Sequence, residues 1–289
     1  MIREPLAAGL TRHWDAEDVV VDTQTTFQHL VIARTAQGLS LFCDDDRQST
    51  EFSQLTYHEA LMVPALLLAD HVDRALVIGS SEGVVCQMAV AAGASLVDHI
   101  DIDEQAVKLC AQYLPYGYTL DELAAAEAGG GPIRVQYIDG YEYIRATTER
   151  YDVVLVDLPD EREEQAQHNR LYSEEFLGMC KALLTPGGVV VSQAGCQTMW
   201  RNTTLIRMWQ RFNDVFGTVA YYGSDEHEWA YLFGRADEVS DPTALMTARL
   251  PACGYRPESI DEMALRGNTI PPYTVRQSRD RAAAVRRTP

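Results

Sequence analysis

The sequence predicts a doubly wound α/β fold, in which helices cover a mostly parallel sheet, preceded by a small antiparallel β module. From Arg74 onward, short and nearly continuous apolar runs alternate with stretches of helical periodicity. This alternation is typical of buried parallel strands joined by crossover helices. Residues 1–46, by contrast, contain only β-rich runs, including 27–34 and 39–42 with a glycine-containing turn between them. That pattern indicates a hairpin.

Periodicity and turn signals define the other elements. Ser173, followed by two glutamates, predicts the start of a helix. The insertion at residues 116–131 ends in three glycines and is predicted to be a flexible surface loop. The runs 219–222 and 229–234 predict an antiparallel hairpin at the edge of the sheet. Further helices are predicted at 57–69, 84–92, 103–114, 141–150 and 199–216, and strands at 75–78, 96–100, 133–138, 151–156 and 189–193.

The stretch from Arg74 to Asp103 is the centre of the predicted site. Its first strand leads into a turn, GSSEG at residues 79–83, then a helix, then a second strand that ends on Asp101. Glycines allow a ligand to approach the backbone, and an acid at the second strand end can accept both hydroxyls of a ribose. Glu82 inside the turn would repel phosphates and favour a cation, so a nucleoside fits better than a pyrophosphate. An ordinary β-α-β crossover with a tight turn is the alternative interpretation.

Acidic residues stand at or just beyond the ends of four predicted strands. Glu82, Asp101, Asp139 and Asp157 hold these positions, and Asp160 follows in the loop after Asp157. Because ligands of open α/β sheets bind at the carboxyl ends of the strands, we expect these side chains to share one edge. Carboxylates crowded in this way bind a cation or have raised pKa values.

Composition excludes several classes of function. Hydrophobic residues make up 46% of the 289 residues, enough for a sizeable core, and the net charge is −18. Such a charge argues against nucleic-acid or anionic-membrane binding. Six scattered cysteines form no C-x-x-C pair, so they predict reduced thiols in a cytoplasmic protein. The acidic run 44–46 lacks the spaced ligands of a calcium loop, and no metal is expected.

Three segments are predicted along the chain. Residues 1–52 form the N-terminal β module, and residues 53–270 form the catalytic domain. Residues 271–289 are rich in arginine and poor in apolar side chains, so this tail is expected to be disordered.

Five motifs resemble those of the spermidine synthase (polyamine aminopropyltransferase) family. They are YHEAL at 57–61, VIGSSEG at 77–83, HIDID at 99–103, YIDGYEY at 137–143 and YDVVLVD at 151–157. The resemblance covers residues 39–233. It implies a Rossmann-like fold of the class I S-adenosylmethionine-dependent methyltransferase type behind a small N-terminal β module. It also implies a homodimer.

The same resemblance implies roles for the residues of the donor site. Glu82, with Gly79 in the same turn, stands where the family has an aspartate that holds the aminopropyl ammonium. Asp101 stands where a glutamate holds the ribose hydroxyls. Asp139, with Gly140, matches an Asp-Gly pair that meets the adenine amino group.

It also implies which residues surround the reacting amine. Asp157 matches the catalytic aspartate, and Asp160 the second aspartate of the same loop. Tyr57 matches a tyrosine beside the amine. Gln48 matches a glutamine near the nucleoside, and His58 a neighbouring position that contacts the cofactor. The implied donor is decarboxylated S-adenosylmethionine, and the implied acceptor is a small-molecule amine.

This chemistry needs a deprotonated amine, held in line with the carbon next to a sulfonium. Asp157 with the Tyr57 hydroxyl can orient the amine and accept its proton. The sulfonium is already activated, so no metal is required.

Two loops depart from the family pattern. After Asp157, the sequence loses the Gly-Pro of the family's loop, and residues 225–229, DEHEW, replace its Pro-(Thr/Ser)-(Tyr/Phe)-Pro segment. The amine pocket is therefore rebuilt. His227 in the second loop is expected to be a surface histidine.

Two other functions are compatible with these departures. One is an S-adenosylmethionine-dependent methyltransferase, or another alkyl transferase, of a specialised pathway that uses the intact donor. The other is a non-catalytic protein that binds a nucleoside or a polyamine.

Overall fold

The N-terminal part of the chain forms two small antiparallel sheets. We describe residues 1–161, 166–224 and 226–286 of a computed structural model. The first sheet pairs β1 with β2, and the second has the order β3-β4-β5-β6. The strands are β1 (Ile2–Ala7), β2 (Leu10–Trp14), β3 (Asp18–Gln24), β4 (His29–Thr35), β5 (Gly38–Cys43) and β6 (Asp46–Thr50).

Alternating helices and strands follow, as the sequence predicts. The first half comprises α1 (Gln54–Leu68), β7 (Arg74–Gly79), α2 (Val84–Ala91), β8 (Leu96–Asp101), α3 (Glu104–Tyr113), α4 (Leu120–Glu127), β9 (Ile133–Tyr137), α5 (Gly140–Ala146) and β10 (Tyr151–Asp157). The second half comprises α6 (Glu174–Ala182), β11 (Leu184–Cys196), α7 (Thr203–Val215), β12 (Thr218–Gly223), β13 (Trp229–Arg235), α8 (Pro242–Arg249), α9 (Glu262–Asn268) and α10 (Tyr273–Arg286). Short 3-10 helices span Gln167–Tyr172 and Leu250–Ala252.

The central sheet has seven strands in the order β12-β13-β11-β10-β7-β8-β9. The five strands from β11 to β9 in this order are parallel to one another. The last two strands in sequence, β12 and β13, form an antiparallel pair that continues the sheet beyond β11. The predicted α/β fold, with its mostly parallel sheet, edge hairpin and N-terminal β module, is therefore confirmed.

Helices pack on both faces of this sheet. Along β7, Ala75 and Val77 belong to one hydrophobic cluster, whereas Leu76 and Ile78 belong to another. Successive side chains of a strand point to opposite faces, so the two clusters are the two sides of one sheet. Helices α1 and α2 pack in the first cluster, and α6 and α7 in the second. This arrangement leaves the carboxyl ends of the strands free for a site.

Two segments contradict the predictions from sequence. The expected loop at residues 116–131 contains α4, whose Thr119 forms a reciprocal capping box with Glu122. The tail that was expected to be disordered instead forms α10, which packs on α7. Val275 is buried in the second cluster, and the Arg279 guanidinium lies 5.4 Å from the Trp209 ring centroid. Residues 287–289 of the tail lie outside the described residues.

The described helices include none that is both long and apolar enough to cross a bilayer. All six cysteines are free thiols, and five of them are buried.

Because α10 packs on α7, two substitutions in α10 should differ in their effect on the free energy of unfolding. Val275→Ala should lower the free energy of unfolding by about 1–2 kcal/mol, because two buried carbon groups are lost. Tyr273→Ala, at a side chain that is 66% exposed, is the control and should change it by less than about 0.5 kcal/mol. Urea unfolding measures both values. An unfolding free energy for Val275→Ala equal to that of the parent protein would show that α10 does not dock.

Candidate active site

A cavity of about 190 Å³ lies at the carboxyl ends of β7, β8 and β10, with the N-terminal β module on one side. The four acids that the sequence places at strand ends all line it: Glu82, Asp101, Asp139 and Asp157. Of the other residues predicted for the site, Gln48, Tyr57, Gly79 and Gly140 line the same cavity. Parallel strands that end at one edge therefore bring together residues that are far apart in sequence.

The turn after β7 requires glycine for a steric reason. Gly79 has a φ of +76°, and a Cβ on it would collide with the carbonyl oxygen of Asp157. This close approach lets the Ser80 amide donate a hydrogen bond to that oxygen at 3.2 Å. The turn then directs Glu82 into the cavity, where its side chain is only 7% exposed. The described residues donate no hydrogen bond to the Glu82 carboxylate, so it remains available to a bound cation.

Asp157 and Tyr57 form a buried pair at the end of β10. The Tyr57 hydroxyl donates a hydrogen bond of 2.6 Å to Oδ1 of Asp157. Burial raises the pKa of Asp157 to about 7, and the negative charge of Glu82 contributes to the increase, whereas the Tyr57 hydroxyl opposes it. Burial and the charge of Asp157 also hold the pKa of Tyr57 well above its usual value. At neutral pH, Asp157 can therefore both accept and release a proton.

Aromatic rings hold Tyr57 in this position. His58, His227 and Tyr231 contact it edge-on, with centroid distances of 5.3, 6.1 and 5.5 Å. His58 is buried and does not line the cavity, and its Nδ1 lies 3.3 Å from Oε1 of Gln54. His58 thus packs against Tyr57 outside the cavity lining, and its contact with the nucleoside stays a prediction. His227 is 2% exposed, so its prediction as a surface histidine is wrong.

Asp101 is held by two donors at the end of β8. Its oxygens accept hydrogen bonds from the Ser81 hydroxyl at 2.7 Å and from the Asp103 amide at 2.8 Å. Burial raises the pKa of Asp101 to about 6, and the charges of Asp103 and Glu82 add to the increase. The remaining lone pairs of both oxygens can accept hydrogen bonds from a diol.

Asp103 is a cavity residue to which the sequence assigned only a place in a helix's first turn. One of its oxygens caps α3 by accepting from the Ala106 amide at 3.1 Å. The other accepts from the Thr25 hydroxyl at 2.7 Å and from the Gln28 side-chain amide at 3.0 Å. These contacts fasten the β module to the carboxyl end of β8. The spacing of Asp101 and Asp103 was visible in the sequence, but the partners of Asp103 in the module were not.

Asp139 forms one side of the cavity and begins α5. Its Oδ1 accepts from the Tyr141 amide at 2.9 Å, and its Oδ2 accepts from Gln167 at 3.1 Å and from Arg170. Gly140 follows because a Cβ at that position would collide with the Ile78 side chain.

Asp160 is not brought to the cavity wall. Its Oδ1 accepts a hydrogen bond of 2.8 Å from the Gln193 side-chain amide, and its Oδ2 lies 3.4 Å from Nη2 of Arg201. Neither partner was predicted from the sequence. In the two rebuilt loops, residues 162–165 and Asp225 lie outside the described residues.

Comparison with known proteins identifies the family. Residues 54–224 match a family model described as the spermine/spermidine synthase domain. The chain belongs to the spermine/spermidine synthase family. The resemblance that five motifs indicated is confirmed.

Two relatives illustrate how far this spermidine-synthase-family chain has diverged. A polyamine aminopropyltransferase of Sulfolobus acidocaldarius is 25% identical over 232 residues, covering 78% of this chain and 74% of that protein. Polyamine aminopropyltransferase 2 of Hyperthermus butylicus is 32% identical over 228 residues, covering 76% and 71%.

Solved structures of the family share the fold. A spermidine synthase crystallised with the transition-state analogue AdoDATO superposes with a TM-score of 0.83 at 18% identity, covering 96% of this chain and 94% of that one. The spermidine synthase of Thermotoga maritima gives a TM-score of 0.80 at 16% identity, covering 96% and 93%. The Rossmann-like architecture is therefore that of the family.

The Tyr57–Asp157 hydrogen bond predicts that removal of the Tyr57 hydroxyl changes the pKa of Asp157. Tyr57→Phe should raise the pKa of Asp157 above its value of about 7, because the lost hydroxyl stabilised the ionised carboxylate. Carbon-13 NMR titration of the aspartate carboxyls measures the shift. Tyr231→Phe, which removes a hydroxyl that donates to the backbone oxygen of Tyr57, is the control with little expected change. An unchanged or lower pKa in Tyr57→Phe would contradict this assignment.

Proposed function

We propose that this protein transfers a 3-aminopropyl group from decarboxylated S-adenosylmethionine to a small-molecule amine. The observation that carries the proposal is the convergence of four carboxylates on one cavity beside the Asp157–Tyr57 pair. Membership of the spermine/spermidine synthase family supports it. So do the curated names of the relatives, which are polyamine aminopropyltransferases.

The residues of the cavity match the chemical groups of this donor. Asp101 can accept the two ribose hydroxyls, and Asp139 can accept the adenine amino group alongside its present partners. Glu82 is a buried carboxylate without a donor among the described residues. It attracts the ammonium at the end of the aminopropyl group and repels the carboxylate of intact S-adenosylmethionine. This difference favours the decarboxylated donor over the intact one.

Asp157 and Tyr57 act on the acceptor. Asp157 accepts the proton of the incoming amine, and the Tyr57 hydroxyl fixes the carboxylate that receives it. The free nitrogen lone pair attacks the propyl carbon bound to sulfur, and the carbon–sulfur bond breaks. Methylthioadenosine leaves as a neutral thioether, and the nitrogen carries the new aminopropyl group.

Fixed charges stabilise this movement of charge. Positive charge passes from sulfur to nitrogen in a cavity that the Glu82 carboxylate lines, while Asp157 holds the proton of the amine. Preorganised charges in a water-poor cavity stabilise a transition state without reorganising. Because the pKa of Asp157 is about 7, the ionised base is present at neutral and higher pH. The kcat/KM for the donor, which reports the free enzyme, should therefore rise as the pH increases through about 7 and then level off.

The homodimer that the family resemblance implies stays a prediction. Mass photometry of the purified protein tests it.

Replacement of the base tests the proposed reaction. Asp157→Asn should lower kcat with decarboxylated S-adenosylmethionine by about 10²- to 10⁴-fold, because the general base is lost. Asp121→Asn, at an exposed position in the first turn of α4, is the control and should keep the parent rate. Chromatographic quantification of methylthioadenosine measures both.

The same assay separates the alternative functions. Adenosylhomocysteine formed from intact donor, with no methylthioadenosine from the decarboxylated one, would identify a methyltransferase. Absence of either product across a panel of amines, with intact binding of nucleosides, would identify a binding protein.

A further inference from the structure

Three arginines, two from the β module and one from the segment between β11 and α7, form ion pairs that join the module to the residues before β13. We call Arg12, Arg47 and Arg201 the arginine cluster. Arg12 binds both oxygens of Glu228 at 2.7 and 2.8 Å, and Arg47 lies 3.4 Å from the same carboxylate. Arg201 reaches acids of the β module, Asp46 and Glu4, at 3.5 and 4.0 Å, and its third partner is Asp160.

The carboxylate of Asp160 therefore already has hydrogen-bond and ion-pair partners within the protein. It is the acid that follows Asp157 most closely in sequence, and Gln193 and Arg201 occupy its two oxygens. Arg201 is held firmly, because its guanidinium also lies 5.1 Å from the ring centroid of Trp229 and is only 14% exposed. An acceptor with a second ammonium would have to displace this guanidinium or lie beside it, and like charges repel.

His227 carries a buried donor without a partner. The ring lies between Tyr57 and Tyr231, with centroid distances of 6.1 and 5.7 Å. Its Nδ1 accepts a hydrogen bond of 3.2 Å from the Trp229 amide, so the proton of the neutral ring is on Nε2. Burial and the charge of Arg47 lower the pKa of His227 to about 3, which keeps the ring neutral.

Nε2 of His227 finds no hydrogen-bond partner within the described parts of the chain, and neither does Nε of Arg47. Both are N–H donors in residues that are more than nine-tenths buried. Unpaired buried donors are costly and uncommon in folded proteins. Both donors lie outside the lining of the cavity, but His227 packs against the ring of Tyr57, whose hydroxyl binds Asp157. A bound oxygen would satisfy them.

We infer that the acceptor is an amine whose far end carries an oxygen that accepts hydrogen bonds, a hydroxyl, carbonyl or carboxylate, rather than a second ammonium. This inference rests on the proposed aminopropyl transfer and names its acceptor class. His227 and Arg47 bind the oxygen. Arg201 is a specificity-determining residue, because its guanidinium pairs with Asp160 and repels a second ammonium that approaches this carboxylate.

A panel of four-carbon amines tests the inference. With decarboxylated S-adenosylmethionine as donor, kcat/KM is compared for 1,4-diaminobutane, butylamine, 4-amino-1-butanol, 4-aminobutanamide and 4-aminobutanoate. At least one of the three oxygen-bearing amines should exceed both diaminobutane and butylamine by at least tenfold. The oxygen-bearing amine with the highest kcat/KM shows whether the site prefers a hydroxyl, a neutral carbonyl or a carboxylate. Diaminobutane as the best acceptor would overturn the inference and leave the proposed aminopropyl transfer supported.

Binding gives a readout that does not depend on turnover. Calorimetry of the same amines is done with protein saturated with methylthioadenosine. Tighter binding of an oxygen-bearing amine than of diaminobutane supports the acceptor class even where the transfer reaction fails. Equal or tighter binding of diaminobutane, or no binding by any amine of the panel, overturns it.

Variants assign the effect to His227 and Arg201. His227→Phe should raise KM for the preferred amine at least tenfold with little change in kcat, and His227→Gln, which retains an N–H donor, should restore KM. His13→Phe, at an exposed histidine, is the matched control. Arg201→Gln should increase the kcat/KM for diaminobutane relative to the oxygen-bearing amine. Equal KM values for the parent protein and His227→Phe would remove His227 from the acceptor site.

Discussion

Burial of several carboxylates in one cavity is the constraint on which the rest of this structure depends. The pKa values of Asp101 and Asp157 rise to about 6 and about 7, because burial penalises their ionised forms and Glu82 adds to the penalty. A cationic ligand has the opposite effect on each of these groups. Under the proposed function, binding of a cationic donor favours the ionised form of Asp157, so donor binding and proton acceptance are coupled through charge.

Residues of the β module contact and position residues of the site. Thr25 and Gln28 position Asp103, and Arg12 and Arg47 bind Glu228 just before β13. The module thus contacts the central sheet just after β8, at Asp103, and again just before β13, at Glu228. Divergence in the module can change acceptor specificity without altering Asp157 or its tyrosine.

The sequence was sufficient for the sheet and for the acids that line the cavity. Asp101 and Asp157 directly follow apolar runs, and the geometry of parallel strands then places them at one edge. Helix α10 could not be predicted, because its sequence is polar and its order depends on the contact of Val275 with the second cluster. The acceptor end was also missed. The acidic loop around His227 predicts an exposed side chain. Its burial depends on rings that are far away in sequence, such as that of Tyr57.

The most direct test of the central claim is calorimetric measurement of donor affinity in the parent protein and in Glu82→Gln. If a buried carboxylate selects a cationic nucleoside, decarboxylated S-adenosylmethionine should bind at least tenfold more tightly than the intact form, and Glu82→Gln should remove most of that difference. The corresponding free energy is about 1.4 kcal/mol, which is modest for a charge interaction away from bulk water. Equal affinities in the parent protein, or a preference that survives in Glu82→Gln, would contradict the account.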